Sequence, residues 1–577
     1  MSEENLFQIK NPRSSVEIHL GNERVISGPR GKSVGDFLQT IQPEVEVPIV
    51  GAIVNTQLRE LTYPIHMDST VIPITMNDAD GMRFYRRSLT FLLETAFHKL
   101  FPNAILTIDH SVTSGGYFCQ VYDRIPLSRG ELKELEKKMR ELVDDDHKLI
   151  RKEYPLEEAI LYFKEQGYKD KVSLLKHRRK DHLILYSLDD HRDYHHGYMV
   201  PSTGYLKWFG LSQIEDGFIV RFPRRHKPTE LLPLPDYLTL IDTFRQYGDW
   251  LSSMGIDSIG ALNDSTQDGR IREIIMVSEA LHEQRIAEIA GVIAKKINEI
   301  RVVLIAGPSS SGKTTFSKRL SIQLLARGIS PFTMEMDSYF VDRDETPVDE
   351  NGELDFESID AVDRKRLGED IQQLIEGYPV QLPHFDFVSG QGETGEWVQL
   401  HPGQIIILEG IHGLNPELVP NVPGNRTFRI YASALTQLNL DRHNRVSTTD
   451  TRLIRRIVRD ARDRGYSAQD TIKRWESVRR GEKRYIFHHQ HHANVMFNSA
   501  LVYELAALKP LAEPLLRQVP FGTPEHIEAK RLLTFLEWFL PVDYDPIPDN
   551  SILKEFLGDS SLRSFRVWEH RKVGKIY

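Results

Sequence analysis

The sequence has a single cysteine, Cys119, in 577 residues. No internal disulfide can form, and no metal site built on several thiolates is available. It has no apolar run near the roughly 18 residues that a membrane-spanning helix needs. Its first fifteen residues, MSEENLFQIKNPRSS, lack the apolar core of a secretory signal. A cytoplasmic chain without a membrane partner is therefore expected. It also lacks an excess of positive charge. The 73 Lys and Arg against 82 Asp and Glu give a formal net charge of −9. That balance argues against wholesale polyanion binding and leaves only a local basic groove. What is present is ordinary for a globular protein, 40% hydrophobic and 27% charged residues. A chain this long exceeds one core, so about three or four domains are expected.

One stretch organises the rest, Arg301 to Leu320, RVVLIAGPSSSGKTTFSKRL. Val302 to Ala306 reads as a buried strand and Phe316 to Arg327 as a helix. Between them Gly307-Pro308-Ser309-Ser310-Ser311-Gly312-Lys313-Thr314 fits G-x-x-x-x-G-K-[ST] at every fixed position. The glycines let successive amides turn inward around phosphate oxygens, and the helix N-terminus adds partial positive charge. Lys313 would reach the β- and γ-phosphates, the Thr314 hydroxyl would ligate Mg²⁺, and Thr315 would extend the cradle. The cofactors implied are ATP and Mg²⁺.

Pro331 to Phe340, PFTMEMDSYF, reads as a second buried strand leading into Asp337. A carboxylate at the carboxyl end of a parallel strand sits where α/β proteins bind substrate. Phosphoryl transfer to a hydroxyl needs a proton acceptor that orients the nucleophile, and Asp337 is the candidate. Gln404 to Leu408 is a further strand that ends at Glu409, placed to hold Mg²⁺ or its water. Asp450 to Gly465, DTRLIRRIVRDARDRG, reads as a helix with Arg452, Arg455, Arg456, Arg459, Arg462 and Arg464. A mobile Arg-bearing lid would supply cations over a migrating phosphoryl group and exclude water. A solvated basic face is the alternative for most of these arginines.

The front of the chain is different. Residues 1–15 are polar and expected to be loosely held. Then VEIHL, ERVISG, a short helix at Ser33 to Ile41 capped by Ser33, VPIVGAIVN and STVIPITM form a small β-rich unit. Through GAIVNTQLRELTYPIHMDSTVIPIT it resembles a TGS domain, a β-grasp module. Arg86 to Leu100 reads as an amphipathic helix, followed by FPNA, GGY, a helix at Leu156 to Glu165, and VPSTG. This order resembles the second additional domain of threonyl-tRNA synthetase, an α+β domain that edits mischarged tRNA. The H-x-x-x-H of that family falls here on Arg87 and Phe91, and its C-x-x-x-H on His195 and Met199. A site of the family type is therefore not expected. The His191, His195 and His196 cluster shows no acidic or Cys partner at ligand spacing, so it reads as a solvated surface cluster. Asp268 to Ile300 carries one apolar helical stripe, read as a connecting helix or an oligomer contact.

GPSSSGKTT, MDSYF, LDFESIDAVD, VQLPHFDF, ILEGIHGLN and the arginine helix occur in the order seen in the uridine kinase/phosphoribulokinase family, which residues 301–510 resemble. The resemblance implies a P-loop kinase domain, a parallel sheet flanked by helices, that phosphorylates a nucleoside 5′-hydroxyl. It implies Asp337 as base, Lys313, Arg455, Arg456 and Arg459 at the reacting phosphoryl, and Thr314 with Glu409 on Mg²⁺. It also implies Asp337, Glu357, Phe385, Arg452 and Arg464 around the acceptor. Four positions depart from the family: its R-G-R ends here in Tyr466, and three more lie at the acceptor. Its ribose-binding Asp is Glu357, its Tyr is Phe385, and its pyrimidine-contacting His is Gly390. A pocket that loses base hydrogen bonds loses discrimination between bases.

The expected division is 1–78 TGS-like, 79–245 editing-like, 246–300 connecting helices, 301–510 kinase-like and 511–577 an extension. The expected partner is a small-molecule acceptor, a nucleoside, in a homo-oligomer. Alternatives are another sugar-bearing acceptor, or a nucleotide-sensing protein that touches tRNA or the ribosome. The His488, His489, His491 and His492 run is read as a loop near the nucleotide. The terminal RVWEHRKVGKIY is read as an added edge strand.

Overall fold

The computed structural model describes residues 11–567 apart from 12, 22, 113, 235–237, 349–351, 353, 387–388, 437 and 566. The expected edge strand at the C-terminus apart from Val567, residues 1–10 and 12 of the loosely held N-terminus, and Phe387 lie outside the described residues. The rest groups into two compact units. The first holds residues up to 237 with two short segments, 439–445 and 520–531; the second holds 238–438, 446–519 and the residues from 532 onward.

In the first unit, alternation of apolar and polar residues makes half-buried strands. Ser15–Leu20 buries Val16, Ile18 and Leu20, leaves Glu17 half-buried and exposes His19. A five-stranded sheet runs in the order Val25–Pro29, Ser15–Leu20, Ser69–Thr75, Ile49–Val54, Gln57–Glu60. Ser15–Leu20 is parallel to Ser69–Thr75, and the other pairs are antiparallel. The helix Val34–Leu38 starts in a capping box. Ser33 Oγ accepts from the Asp36 amide at 3.1 Å, and the Asp36 carboxylate accepts from the Ser33 amide at 3.1 Å. Next comes the long helix Ala79–Leu100, buried along most of its length. Around it lie a four-stranded antiparallel sheet (Gly210–Ile214, Gly217–Arg221, Gly116–Tyr122, Ile105–Val112) and a three-stranded one (His191–Asp193, His182–Leu188, Ile150–Pro155).

In the second unit, the near-continuous apolar runs VVLIA (Val302–Ala306) and IIIL (Ile405 to Leu408) are wholly buried. Such runs suit strands covered on both faces. They belong to a five-stranded parallel sheet ordered Pro331–Glu335, Ile405–Glu409, Val302–Ala306, Thr427–Ser433, Val495–Asn498. The P-loop strand is central, so the loop leaving it emerges at the middle of the carboxyl edge. Helices cover the sheet: Lys313–Leu325, Arg364–Glu376, Thr448–Asp463, Ala468–Tyr485 and Glu504–Arg517. The expected connecting segment forms three helices of this unit, Leu238–Ser253, Ile259–Gln267 and Ile271–Lys295. The histidine run expected as a loop is instead a 3-10 turn, Phe487–His492, between the end of the helix Ala468–Tyr485 and the fifth strand of the sheet. The Val-Met-Phe run of that strand pairs with Thr427–Ser433, and that pairing outweighs the polar histidines before it. Among the described residues no helix is long and apolar enough to cross a membrane.

Candidate active site

The loop from Gly307 to Gly312 joins the central strand to the helix Lys313–Leu325. Gly312 has φ +78°, in the left-handed region, and a Cβ there would sit 2.5 Å from Ile552 Cγ2. Only glycine meets both demands. The loop carbonyls are pinned one after another. Arg452 Nε donates to Ser309 O at 2.8 Å, Arg455 Nη1 to Ser310 O at 3.4 Å, and Ser499 Oγ to Ser311 O at 2.5 Å. In a trans peptide the next N–H is antiparallel to the C=O. Holding the carbonyls of 309–311 therefore sends the amides of 310–312 to the opposite side, as a phosphate cradle requires. Lys313 Nζ lies 3.4 Å from Pro308 O. The Ser309 amide donates to Glu482 Oε1 at 2.9 Å.

Three carboxylates gather around Lys313. Thr314 Oγ1 donates to Glu409 Oε1 at 3.0 Å. Burial pushes Glu409 up to about 7, with Glu555 and Asp337 adding repulsion and Lys313 opposing. Burial likewise pushes Glu357 up to about 7, with Glu482 adding more repulsion than Asp337 and with Arg456 and Lys313 opposing. Asp337 lies not in the strand but in the 3-10 turn Met336–Tyr339 just after it. Solvent reaches this carboxylate, yet protein surrounds it on most sides. That partial desolvation raises it above the usual carboxylate range, while Lys313 and Arg464 pull it back. Lys313 is the cation that all three share, with Arg456 acting also on Glu357 and Arg464 on Asp337. A hydroxyl bonded to a carboxylate is an oxygen-only donor pair, the kind that Mg²⁺ takes together with waters and phosphate oxygens. Thr314 and Glu409 thus fit the ion that a P-loop implies.

The arginine helix, Thr448–Asp463, separates its cations into two sets. Arg452 and Arg455 are fully buried. Arg452 pairs with Glu482, and Arg455 Nε with Glu504 Oε2 at 2.9 Å. Both brace the loop through its carbonyls. Arg456 donates to Ser309 Oγ at 2.9 Å and to Asp460, and its charge lowers Glu357. Arg459 pairs with Asp460 at 2.9 Å. Arg464 is half-exposed and acts on Asp337. Phe385 is buried, its ring 5.7 Å from that of Phe340. The structure thus brings the loop, Lys313, Asp337, Glu357, Glu409, Arg456 and Arg464 together, and seats Arg452 and Arg455 in its support.

Several participants escaped the sequence. Glu482 stands in RRGEKRY among basic residues, where nothing local marks it, yet it is fully buried. Glu504 was legible in principle, as a lone acid in the apolar run SALVYELAAL. Glu555 accepts from Thr315 Oγ1 at 2.7 Å from a segment more than two hundred residues away in the chain. His412 is buried with its ring 5.8 Å from that of Tyr485, and burial pushes its imidazole down to about 4.

In the first unit the family motif positions are filled by packing. Arg87 donates to Tyr198 O, Phe91 lies against His191 and His195 with ring centres 5.6 and 5.4 Å away, and Met199 is buried. The solvated-surface reading of the histidines is corrected here. His191 and His195 are buried and do have acidic partners, Glu94 from the long helix and Asp193 beside them. Glu94 is about a hundred residues distant in sequence, so no local spacing announced it.

A central P-loop strand, a phosphate cradle, a Thr–Glu pair and a facing Asp define a P-loop kinase domain. Residues 302–505 match the Phosphoribulokinase / Uridine kinase family. The N-terminal region is similar to threonine–tRNA ligases. That of Clostridium kluyveri is 31% identical over 204 residues, 35% of this chain and 32% of the ligase. The chain thus spans about a third of the length of that relative. Among solved structures, one described as a possible uridine kinase from Bacillus stearothermophilus is 25% identical with TM-score 0.21, covering 25% of this chain and 78% of that one. D-glycerate 3-kinase from Cryptococcus neoformans is 15% identical with TM-score 0.20, covering 46% and 89%.

Proposed function

We propose that this chain transfers the γ-phosphoryl group of ATP to a hydroxyl of a sugar-bearing acceptor, a nucleoside first among them. The observation that carries this reading is the crowding of Asp337, Glu357 and Glu409 about Lys313 at the end of the P-loop. The acceptor oxygen attacks the γ-phosphorus, the bond to the β–γ bridging oxygen breaks, and ADP leaves. The hydroxyl proton passes to Asp337, and its raised pKa makes it a better base. Lys313, Arg456 and Arg464 are the cations available to the transferred charge. Mg²⁺ on Thr314 and Glu409 would neutralise the phosphate oxygens. Glu357 supplies a carboxylate for acceptor hydroxyls. Phe385 and Gly390 leave fewer polar contacts for a base than a pyrimidine site has, which favours selection by the sugar.

The test is a screen of nucleosides and sugar phosphates with ATP and the full chain, repeated with Asp337→Asn. Turnover should appear with one acceptor class, and Asp337→Asn should lower kcat by about 10²–10⁴-fold while ATP affinity stays near wild type. Turnover within a few-fold of wild type would refute the base assignment. A screen with no product would favour the nucleotide-sensing alternative.

A further inference from the structure

The first unit contains a buried polar cluster that the kinase reading does not use. Glu94, on the helix Ala79–Leu100, turns one carboxylate oxygen toward three imidazoles. Its Oε2 lies 3.2 Å from His195 Nε2, 3.4 Å from His443 Nδ1 and 3.8 Å from His191 Nε2. Asp193 Oδ2 is 2.7 Å from His443 Nδ1. All five residues are buried, and Asp193 is wholly inaccessible. Oxygen or nitrogen atoms of Glu94, Asp193 and His195 lie within 4.8 Å of one another. Among the described residues neither Glu94 Oε1 nor His191 Nε2 has a hydrogen-bond partner. Buried polar atoms are rarely left so.

Charge points the same way. Glu94, Asp193 and Asp441 bring three negative charges, and Lys171 brings one positive charge at 2.9 Å from both Asp193 and Asp441. Asp170 is matched by Arg442 at 2.6 Å. With neutral imidazoles, two negative charges stay buried without counter-charge, which is costly; against the pull of burial, Glu94 and Asp193 hold His443 above the usual imidazole range, so a proton there is the alternative counter-charge. One divalent cation balances them. The spacing about Glu94 suits it too, while Asp193 and His443 stand at hydrogen-bond distance, 2.7 Å. Two donors each about 2.0–2.1 Å from one tetrahedral ion stand about 3.3 Å apart, close to the distances from Glu94 to His195 and His443.

We propose that Glu94, Asp193 and His195 form a structural site for one divalent transition-metal ion of the zinc type, with the imidazole of His443 beside it. Imidazole with carboxylate selects zinc and its neighbours over Mg²⁺, which wants six oxygen donors. Burial leaves no open position for a substrate, so the ion is structural. It ties the long helix to the His191–Asp193 strand, beside segment 439–445, all within the first unit. The site is not the one that the synthetase motif positions describe. Those are Arg87, Phe91, His195 and Met199, and only His195 is shared. A proton held between His443 and Asp193 is the competing occupant.

The test uses the full chain, stripped with chelator and dialysed with millimolar Mg²⁺ to fill any oxygen-only site. Zn²⁺ alone is titrated by calorimetry, retained metal is counted by elemental analysis, and Co²⁺ is titrated spectroscopically. The expected result is one ion per chain, a Co²⁺ spectrum of four-coordinate intensity, and a Zn²⁺-dependent rise in melting temperature. Glu94→Gln and His195→Ala should weaken binding by at least about 100-fold. His489→Ala, in the surface histidine run, should change nothing. Failure of the stripped wild-type chain to bind Zn²⁺ under these conditions overturns the proposal. So does retention of the ion in folded Glu94→Gln. If the variants do not fold, the Co²⁺ spectrum of the wild type decides, and a six-coordinate one overturns the proposal.

Discussion

Replacing Arg452 with Met removes one guanidinium that holds two things at once. It pairs with buried Glu482 and donates to the Ser309 carbonyl at 2.8 Å. Met keeps most of the packing against Trp475, whose ring centre is 5.3 Å from the Arg452 guanidinium carbon. The electrostatic loss is therefore the main one. Breaking a buried pair by removing one partner costs about 3–5 kcal/mol, because the other charge stays behind uncompensated. At roughly 2–4 °C per kcal/mol in a domain of 150–250 residues, and less in a larger unit, melting should fall by about 5–15 °C. Nucleotide affinity should fall as well. A hydrogen bond from a charged donor contributes about 1.5–3 kcal/mol. If the loop needs that bond to keep its amides turned inward, ATP binds roughly 10–150-fold more weakly. Adding Glu482→Gln removes the stranded charge and keeps an acceptor for the Ser309 amide. The double variant should then regain more than half of the lost melting temperature but little of the ATP affinity. Scanning fluorimetry and ATP titration calorimetry read both. Melting within about 2 °C of wild type with unchanged ATP affinity would refute the bracing argument. A double variant no more stable than the single one would show that the stranded acid was not the cost.

Other substitutions probe separate steps. Glu357 has its pKa raised from 4.5 to about 7 by burial and the nearby Glu482. Its ionised form is thus disfavoured in the fold, and its contribution to stability falls as pH rises from about 4.5 through 7, by up to ~3 kcal/mol. Glu357→Gln should therefore melt a few degrees above wild type at pH 8 and match it near pH 4.5; the reverse order would refute the burial reading. Gly312→Ala places a Cβ against Ile552 at a residue with φ +78°, so ATP binding should be lost by titration while far-UV circular dichroism is kept. Thr314→Val removes the hydroxyl that Glu409 accepts; the Mg²⁺ concentration for half-maximal turnover should rise about tenfold or more, and an unchanged Mg²⁺ dependence would remove Thr314 from the ion.

Local patterns were legible and long-range pairings were not. Val302 to Ala306, the P-loop glycines and the helix at Leu156 to Glu165 arise from hydrophobic period and turn chemistry within a few residues. So does the capped turn at Ser33. The arginine helix was legible as a helix, but not which arginines lie beside the carboxylates around Lys313 and which are buried behind the loop. Arg452 and Arg455 look no different in sequence from Arg456 and Arg464. What separates them is Glu482 and Glu504, 30 and 49 residues further on. The same blindness covers the first-unit histidines, whose acid comes from a helix 101 residues away from His195.

The two acid-rich clusters pose one physical problem and differ in its solution. Each gathers carboxylates where burial disfavours charge. Around Lys313 the donors are oxygens alone, in a site that solvent reaches. A hard ion that keeps several waters suits it, and phosphate oxygens complete the shell. Around Glu94 the donors are mixed imidazole and carboxylate in a sealed interior. A softer ion that sheds its water suits that one. The two should therefore sort ions when both are offered together. Millimolar Mg²⁺ should support turnover without raising the melting temperature through Glu94, and micromolar Zn²⁺ should raise that temperature without supporting turnover. Mg²⁺ that protects wild type and Glu94→Gln equally, alongside Zn²⁺ that protects only wild type, is the pattern that separate sites require. Equal Zn²⁺ protection of both would mean that the ion acts elsewhere.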